Sequence, residues 1–238
     1  MSSSGVLIEP ITNPEDFTGA FKAVANAFGH QTHDGVWIAF NPGWDTLEGA
    51  KAGAQRLADR FSSITNNRDG QPNTIFVKAT VDGIIAGLAI WQQASVVQGY
   101  GDPPNENLRA GNFLEKLYPG NETEQRFLVQ ADKSLFGRRW EIIKESATAS
   151  PPALFVMDLC AVDPQFQRKG IATKLVQWGL DEAKRRDLEV ITEASTMGRK
   201  VYLKMGFKQE GGETVYDMDD EFKGRDLPSN VVLRTGKQ

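Results

Sequence analysis

The stretch Leu159-Cys160-Ala161-Val162-Asp163-Pro164-Gln165-Phe166-Gln167-Arg168-Lys169-Gly170-Ile171-Ala172 dictates a buried strand, a turn and a helix, in that order. The apolar run over 154–162 reads as the strand, and Asp163-Pro164 breaks it. From Gly170 onward, Ala172, Leu175, Val176, Gly179, Leu180 and Ala183 mark one face of a helix that runs to Arg186. Free N–H groups at such a helix start, reinforced by the positive end of the helix dipole, form a site for a diphosphate that needs no large basic surface. Gly170 and Ala172 keep the approach to the backbone free of bulk. No Gly-x-Gly-x-x-Gly follows a strand and no Gly-x-x-x-x-Gly-Lys-Ser/Thr occurs, which sets aside dinucleotide redox chemistry and nucleotide hydrolysis.

Charge and composition agree with an anion held locally. The 238 residues carry 27 Lys and Arg against 31 Asp and Glu, so nothing in the electrostatics points to nucleic acid as the main ligand. The single cysteine, Cys160, cannot close an internal disulfide, and two histidines, His30 and His33, are too few for a metal cluster, so no metal is expected. The start has no basic segment followed by an apolar run, and no stretch approaches ~18 uncharged apolar residues. The expectation is a soluble, cytoplasmic protein with no membrane partner, folded as a single domain over 1–238.

Along the chain, Phe17, Ala20, Phe21, Val24, Ala25 and Phe28 recur at helical spacing, and Leu47, Ala50, Ala54, Leu57, Ala58 and Phe61 do so again after Asp45, a candidate N-cap, with an end near Asn66-Asn67. The aromatic-rich loop over 33–44 between them reads as a binding loop. Thr74–Val81 and 84–92 are β-branched or apolar runs joined by Asp82-Gly83, a strong hairpin signal. Residues 93–150 read as an insertion, with Leu128, Ala131, Leu135, Trp140 and Ile143 on a looser helical period over 122–144. A short strand over 190–194, a short helix over 196–205 and last strands around Phe207 and 231–233 complete the order.

Gln167-Arg168-Lys169-Gly170-Ile171-Ala172, preceded by Val162-Asp163-Pro164, resembles the diphosphate loop Arg/Gln-x-x-Gly-x-Gly/Ala of the GNAT superfamily of acyl-CoA-dependent acyltransferases. A second match follows at the proper distance in Tyr202-Leu203-Lys204-Met205-Gly206-Phe207, so the resemblance covers about residues 154–210 and the rest by element order only. It implies an α/β fold: a mixed, mostly antiparallel sheet with helices on both faces and a V-shaped splay between strands 4 and 5. It also implies acetyl-CoA as cosubstrate, held by Cys160, Ala161, Val162, Gln167, Arg168, Lys169, Gly170, Ile171, Ala172, Thr173, Ser195 and Tyr202.

Acyl transfer from a thioester to an amine needs a neutral nucleophile, stabilisation of the oxyanion and a proton for the leaving thiolate. The resemblance gives the last role to the Tyr202 hydroxyl and an oxyanion contact to the Cys160 backbone N–H, with Val162 pairing with the pantetheine arm. Strict alternation would put residues 156, 158, 160 and 162 on one face, with Asp158 turned toward the acceptor and its pKa raised by desolvation into a useful base. Glu193 on the neighbouring strand is the rival base, and a water chain is the third possibility. Cys160 has no histidine near it in sequence to activate a covalent route, and Ser195 reads as a helix cap rather than a nucleophile.

For the acceptor, Trp37, Phe40, Trp44 and Tyr216, with the acidic stretch over 216–222, would suit a cationic amine through cation-π contact and charge attraction, unless they are core aromatics and a solvated turn. The expected activity is N-acetylation of a small-molecule amine by direct attack in a ternary complex, in a monomer or homodimer. Acetylation of a protein lysine or N-terminus, and an inactive acyl-CoA-binding protein, are the alternatives.

Overall fold

The computed structural model describes residues 5–236. Seven strands, β1 (Leu7–Pro10), β2 (Thr74–Val81), β3 (Ile84–Ala94), β4 (Leu154–Val162), β5 (Glu189–Ser195), β6 (Lys208–Glu213) and β7 (Asn230–Arg234), form one sheet in the order β1-β2-β3-β4-β5-β7-β6. Every neighbouring pair is antiparallel except β4 and β5. The β2–β3 hairpin turns at Asp82 and Gly83, both at positive φ (49° and 79°), as a two-residue turn matched to strand twist requires. β1 lies outside the elements expected from sequence, because four residues ending in proline carry too little alternation to read.

One face of the sheet is covered by α1 (Asp16–Val24, continued as a π-helical segment Ala25–Gln31), α3 (Leu47–Ser62) and α5 (Glu122–Glu145). The other carries α6 (Ile171–Arg185) and α7 (Thr196–Lys204). The loop over 33–44 holds a short helix, α2 (Gly35–Phe40), capped by Asp34, whose carboxylate accepts from the Trp37 amide at 2.9 Å. The α3 cap is Thr46 rather than Asp45: its hydroxyl accepts from the Gly49 amide at 3.0 Å, and the helix ends at Ser62, short of Asn66-Asn67. Within residues 93–150, α4 (Phe113–Leu117) and the 24-residue α5 bury Leu114, Phe127, Leu128, Ala131 and Leu135 against Val36 and Ala39 of α2, so this segment builds a wall over the sheet.

Two features of β4 set up the site. Its parallel pairing with β5 covers only Leu154, Val156 and the residue between them, against Glu189 to Ile191, after which the strands diverge as the V-shaped splay implies. The Thr192 hydroxyl, donating to the Met157 carbonyl at 2.9 Å, sits where the two part. The second feature is a β-bulge: Ile90 pairs with Leu159 but Trp91 with Met157, leaving Asp158 as the extra residue. Alternation therefore breaks in mid-strand. Val156, Leu159 and Ala161 pack toward α1, α3 and α5, whereas Met157, Cys160 and Val162 pack toward α6 and α7. The expectation that 156, 158, 160 and 162 share one face is thus corrected: Asp158 and Cys160 point to opposite sides.

Candidate active site

The divergence of β4 and β5 opens a cleft of about 650 Å³ that reaches from Cys160, Ser195 and Tyr202 on one side to Asp34, Trp37 and Phe40 on the other. At its first end the Gln167-to-Ala172 loop leads into α6. Arg168 and Gly170 take left-handed conformations (φ 61° and 75°), and Gly170 caps α6 with no side chain closing the helix end. The first-turn amides of Ile171, Ala172 and Thr173 cannot be satisfied within the helix. A Cβ built on Gly170 would meet nothing within 4 Å, so the mouth of this cradle is open. Gln167 braces the loop from behind, its amide donating to the Val162 carbonyl at 2.9 Å and to Gln31 at 2.7 Å. This geometry fits a diphosphate, with Lys169 and Arg168 beside it.

Tyr202 is buried on α7, and its hydroxyl faces the Cys160 thiol. Burial raises the Tyr202 pKa well above its ordinary value, and the neighbouring Cys160 adds to this, so the hydroxyl is held protonated. Burial likewise pushes the Cys160 thiol up to about 12, which removes it as a nucleophile near neutral pH. Ser195 is the N-cap of α7, its hydroxyl accepting from the Gly198 amide at 3.4 Å. Gly198 also makes room for the tyrosine: a Cβ there would lie 2.7 Å from the Tyr202 ring and 2.8 Å from its hydroxyl. Gly198→Ala, which in an open helix would gain about 1 kcal/mol, is expected instead to cost about 1–3 kcal/mol in urea unfolding. A gain would show that the ring yields freely.

Across the splay lies a charge cluster that the sequence reading missed. Arg139 of α5 donates to Asp158 at 2.7 Å and, through Nε, to Glu193 at 3.1 Å; Arg60 of α3 reaches the second oxygen of Asp158 at 2.8 Å. Burial would raise the Asp158 pKa, but the two guanidinium groups outweigh it and hold the carboxyl well below the usual carboxylate range. The expected desolvated base is therefore corrected to a fully ionised carboxylate locked between two arginines, and Glu193 is spoken for by the same Arg139. Two positive and two negative charges close this cluster.

The end of the cleft away from Tyr202 is lined mostly by aromatic and aliphatic side chains. Trp37 and Phe40 line the cleft with Phe136 and Trp140 of α5 and Phe113, and residues 103–105 with Leu108 line it from the inserted segment. Trp44 and Tyr216 do not line it. The Trp44 ring packs behind Trp37 (centroids 5.8 Å apart) and against His30 (4.7 Å), while the Tyr216 hydroxyl donates to the Pro228 carbonyl at 3.0 Å. The acidic stretch over 216–222 is engaged as well: Asp219 pairs with Arg126 at 2.9 Å, Glu221 with the same arginine and Asp220 with Lys223. Charge attraction by this loop thus gives way to two carboxylates inside the cleft, Asp34 and Asp132. The signal that could have found Asp132 and Arg139 was their place among Leu128, Leu135 and Ile142 on the apolar stripe of α5, where an unmarked helix has no charge.

Among the described residues no helix is long and apolar enough to cross a membrane, and no group of three or more His, Cys, Asp or Glu is placed to hold a metal ion.

A mixed sheet opening between two parallel strands over a glycine-capped helix is the architecture of the acyl-CoA-dependent acyltransferases that the sequence motifs resemble. The acetyltransferase (GNAT) domain family matches residues 111–218. Among solved structures it is similar to a mosquito arylalkylamine N-acetyltransferase (like 5b), at 14% identity over 97% of this chain and 99% of that one, with a TM-score of 0.58. It is also similar to an apo mutant of agmatine N-acetyltransferase (10% identity, 97% and 98% covered, TM-score 0.56). A third likeness is to the histone acetyltransferase HPA2 and related acetyltransferase of Corynebacterium glutamicum (14% identity, 98% and 97% covered, TM-score 0.55). At such identities these likenesses establish the fold. A search of curated protein sequences gave no match.

Proposed function

We propose that the protein transfers an acetyl group from acetyl-CoA to a small primary amine by direct attack within a ternary complex. The observation that carries this reading is the cleft itself: an aromatic channel with Trp37 and Phe40 in one wall, reaching the splay beside Tyr202 and holding carboxylates able to attract an ammonium group. Two proteins of the same fold are named for small amines, arylalkylamines in one and agmatine in the other. The inserted segment adds residues 103–105 and α5 to the walls of the cleft, which weighs against a peptide-width groove and so against a protein acceptor.

In this reading the amides at the start of α6, with Gln167, Arg168, Lys169, Gly170, Ile171, Ala172 and Thr173, hold the diphosphate of the donor. The open edge of β4 at Cys160, Ala161 and Val162 holds the pantetheine arm, with the Cys160 amide turned to the thioester oxygen and Ser195 at the far side. Acetyl-CoA supplies the activated acyl group when bound. Tyr202 keeps its proton until the thiolate departs, and Trp37 and Phe40 pack on the acceptor with Trp44 as their buttress. Asp158 and Glu193, committed to Arg60 and Arg139, neutralise the wall rather than carry the proton.

Isothermal titration with acetyl-CoA tests the donor site. Gly170→Glu places a carboxylate in the cradle and should weaken binding at least about a hundredfold, because like charges in contact cost several kcal/mol. Gly170→Asn, which tolerates the same left-handed backbone, should bind within a few-fold of the wild type. Equal binding by the Glu variant, or no binding by the folded wild type, overturns the reading. Thiol release dependent on an added amine then tests transfer.

A further inference from the structure

The charge cluster across the splay leaves one carboxylate out. Asp132 lies on α5 two turns before Arg139, about 10 Å along the helix. The residue is 8% exposed, and its side chain lines the cleft. Arg139 on its own helix, Arg60 from α3, Asp158 from β4, Glu193 from β5 and Asp34 ahead of α2 are the charged groups around this part of the cleft. Both arginines are already engaged by Asp158 and Glu193, and Asp34 is engaged by the Trp37 amide. Among the described residues no hydrogen bond or ion pair is left for Asp132. A buried carboxylate without a partner is costly, so a sequence that places one on the apolar stripe of a helix keeps it for what enters the cleft.

Resting on the proposed amine acetylation, we propose that Asp132 is the general base, taking a proton from the ammonium of the acceptor. The ammonium gives one N–H proton to the Asp132 carboxylate and becomes a neutral amine. Its lone pair forms the C–N bond to the thioester carbon, and the C–S bond breaks with its electron pair going to sulfur. The nitrogen loses a second proton while the thiolate gains one from Tyr202, which is reprotonated, so that amide and free thiol leave with one net proton released to solvent through Asp132. Burial raises the Asp132 pKa to about 7, with Arg139 lowering it and Asp158 raising it, which suits a base working near neutral pH. In its ionised form the group also supplies the negative charge that an incoming ammonium needs.

The test is the pH dependence of kcat/KM, by thiol release with 2-phenylethylamine as acceptor, for the wild type and for the near-isosteric Asp132→Asn. The wild type should rise with pH, break near 7 where Asp132 becomes ionised, and level off. Asp132→Asn should be about 10²- to 10³-fold slower at pH 7.5, lack the break, and keep climbing toward the pKa of the amine itself. Its affinity for acetyl-CoA should stay that of the wild type, which a collapsed site would not allow, and Asp132→Glu should recover part of the rate. A break near 7 that survives in Asp132→Asn, or an unchanged rate, overturns the assignment. Carbon NMR of aspartate carboxyls in the protein with CoA gives a second readout that needs no turnover. One resonance titrating near 7 and missing from Asp132→Asn supports it, and an Asp132 ionised at pH 5 overturns it. A wild type that binds acetyl-CoA but releases no thiol with amines would instead overturn the proposed function, whatever Asp132 does in the NMR titration.

Discussion

Arg139→Ala should lower the unfolding free energy by about 3–5 kcal/mol at pH 7.5, because it strands the buried Glu193 and leaves Asp158 to Arg60 alone. Arg139 holds Asp158 and Glu193 together, and the side chain of Glu193 is only 3% exposed. Arg60 compensates on one side alone, since it reaches Asp158 and not Glu193. The loss should shrink on acidification. In the wild type Asp158 titrates below its unfolded value, so its contribution is present above about pH 4 and is lost as pH falls through the lower folded value. Without Arg139 that advantage falls away, and protonating the stranded carboxylate relieves the variant as pH drops. Urea unfolding of both proteins at pH 7.5 and pH 5 measures the gap. A gap under about 1 kcal/mol would show that solvent in the cleft, not Arg139, satisfies the two acids.

Tyr202→Phe should reduce turnover by about 10²- to 10³-fold with little change in acetyl-CoA affinity, the signature of a group that acts on the departing thiolate rather than on donor binding. The hydroxyl is buried and its pKa stands well above the usual tyrosine value, so the wild type should show no falling limb from Tyr202 at any pH the fold tolerates. Gly198 sets the ring in place from below, and Cys160 faces the hydroxyl as a neutral thiol. Thiol-release assays across pH, paired with titration calorimetry, separate the two effects. Equal turnover at every pH would leave Tyr202 as a packing aromatic only.

Much of the fold was legible because its signals are local. The Asp82-Gly83 turn, the apolar run at 154–162 and the glycine at the mouth of α6 each carry their geometry in the residue types themselves. Of the cleft, the sequence showed only the loop over 167–172 and the cap and tyrosine of α7, for the same reason. Its other end depends on which parts of distant elements meet, and no local pattern carries that: Arg60 and Asp158 stand 98 positions apart, and Arg139 and Glu193 stand 54 apart. Trp44 and Tyr216 drew attention as aromatics, yet both went to packing, Trp44 filling the space that Gly29 leaves open. The bulge at Asp158 was hidden for a different reason. A one-residue irregularity leaves no trace in a strand that is apolar on both faces, because neither parity looks wrong.

That irregularity makes β4 a divider with two different coatings. Upstream of Asp158 the odd-numbered side chains look toward α6 and α7; downstream the even-numbered ones do. The strand can therefore lend a neutral thiol to the side of α6 and α7 and an anion to the side of α3 and α5 within three residues, which an even pleat cannot do for 158 and 160. Deleting Asp158 would restore the even pleat and leave the remaining side chains of β4 on the sides they now face, so the side of α3 and α5 would lose its anion while the side of α6 and α7 kept its thiol. The extra residue serves one side of the strand alone.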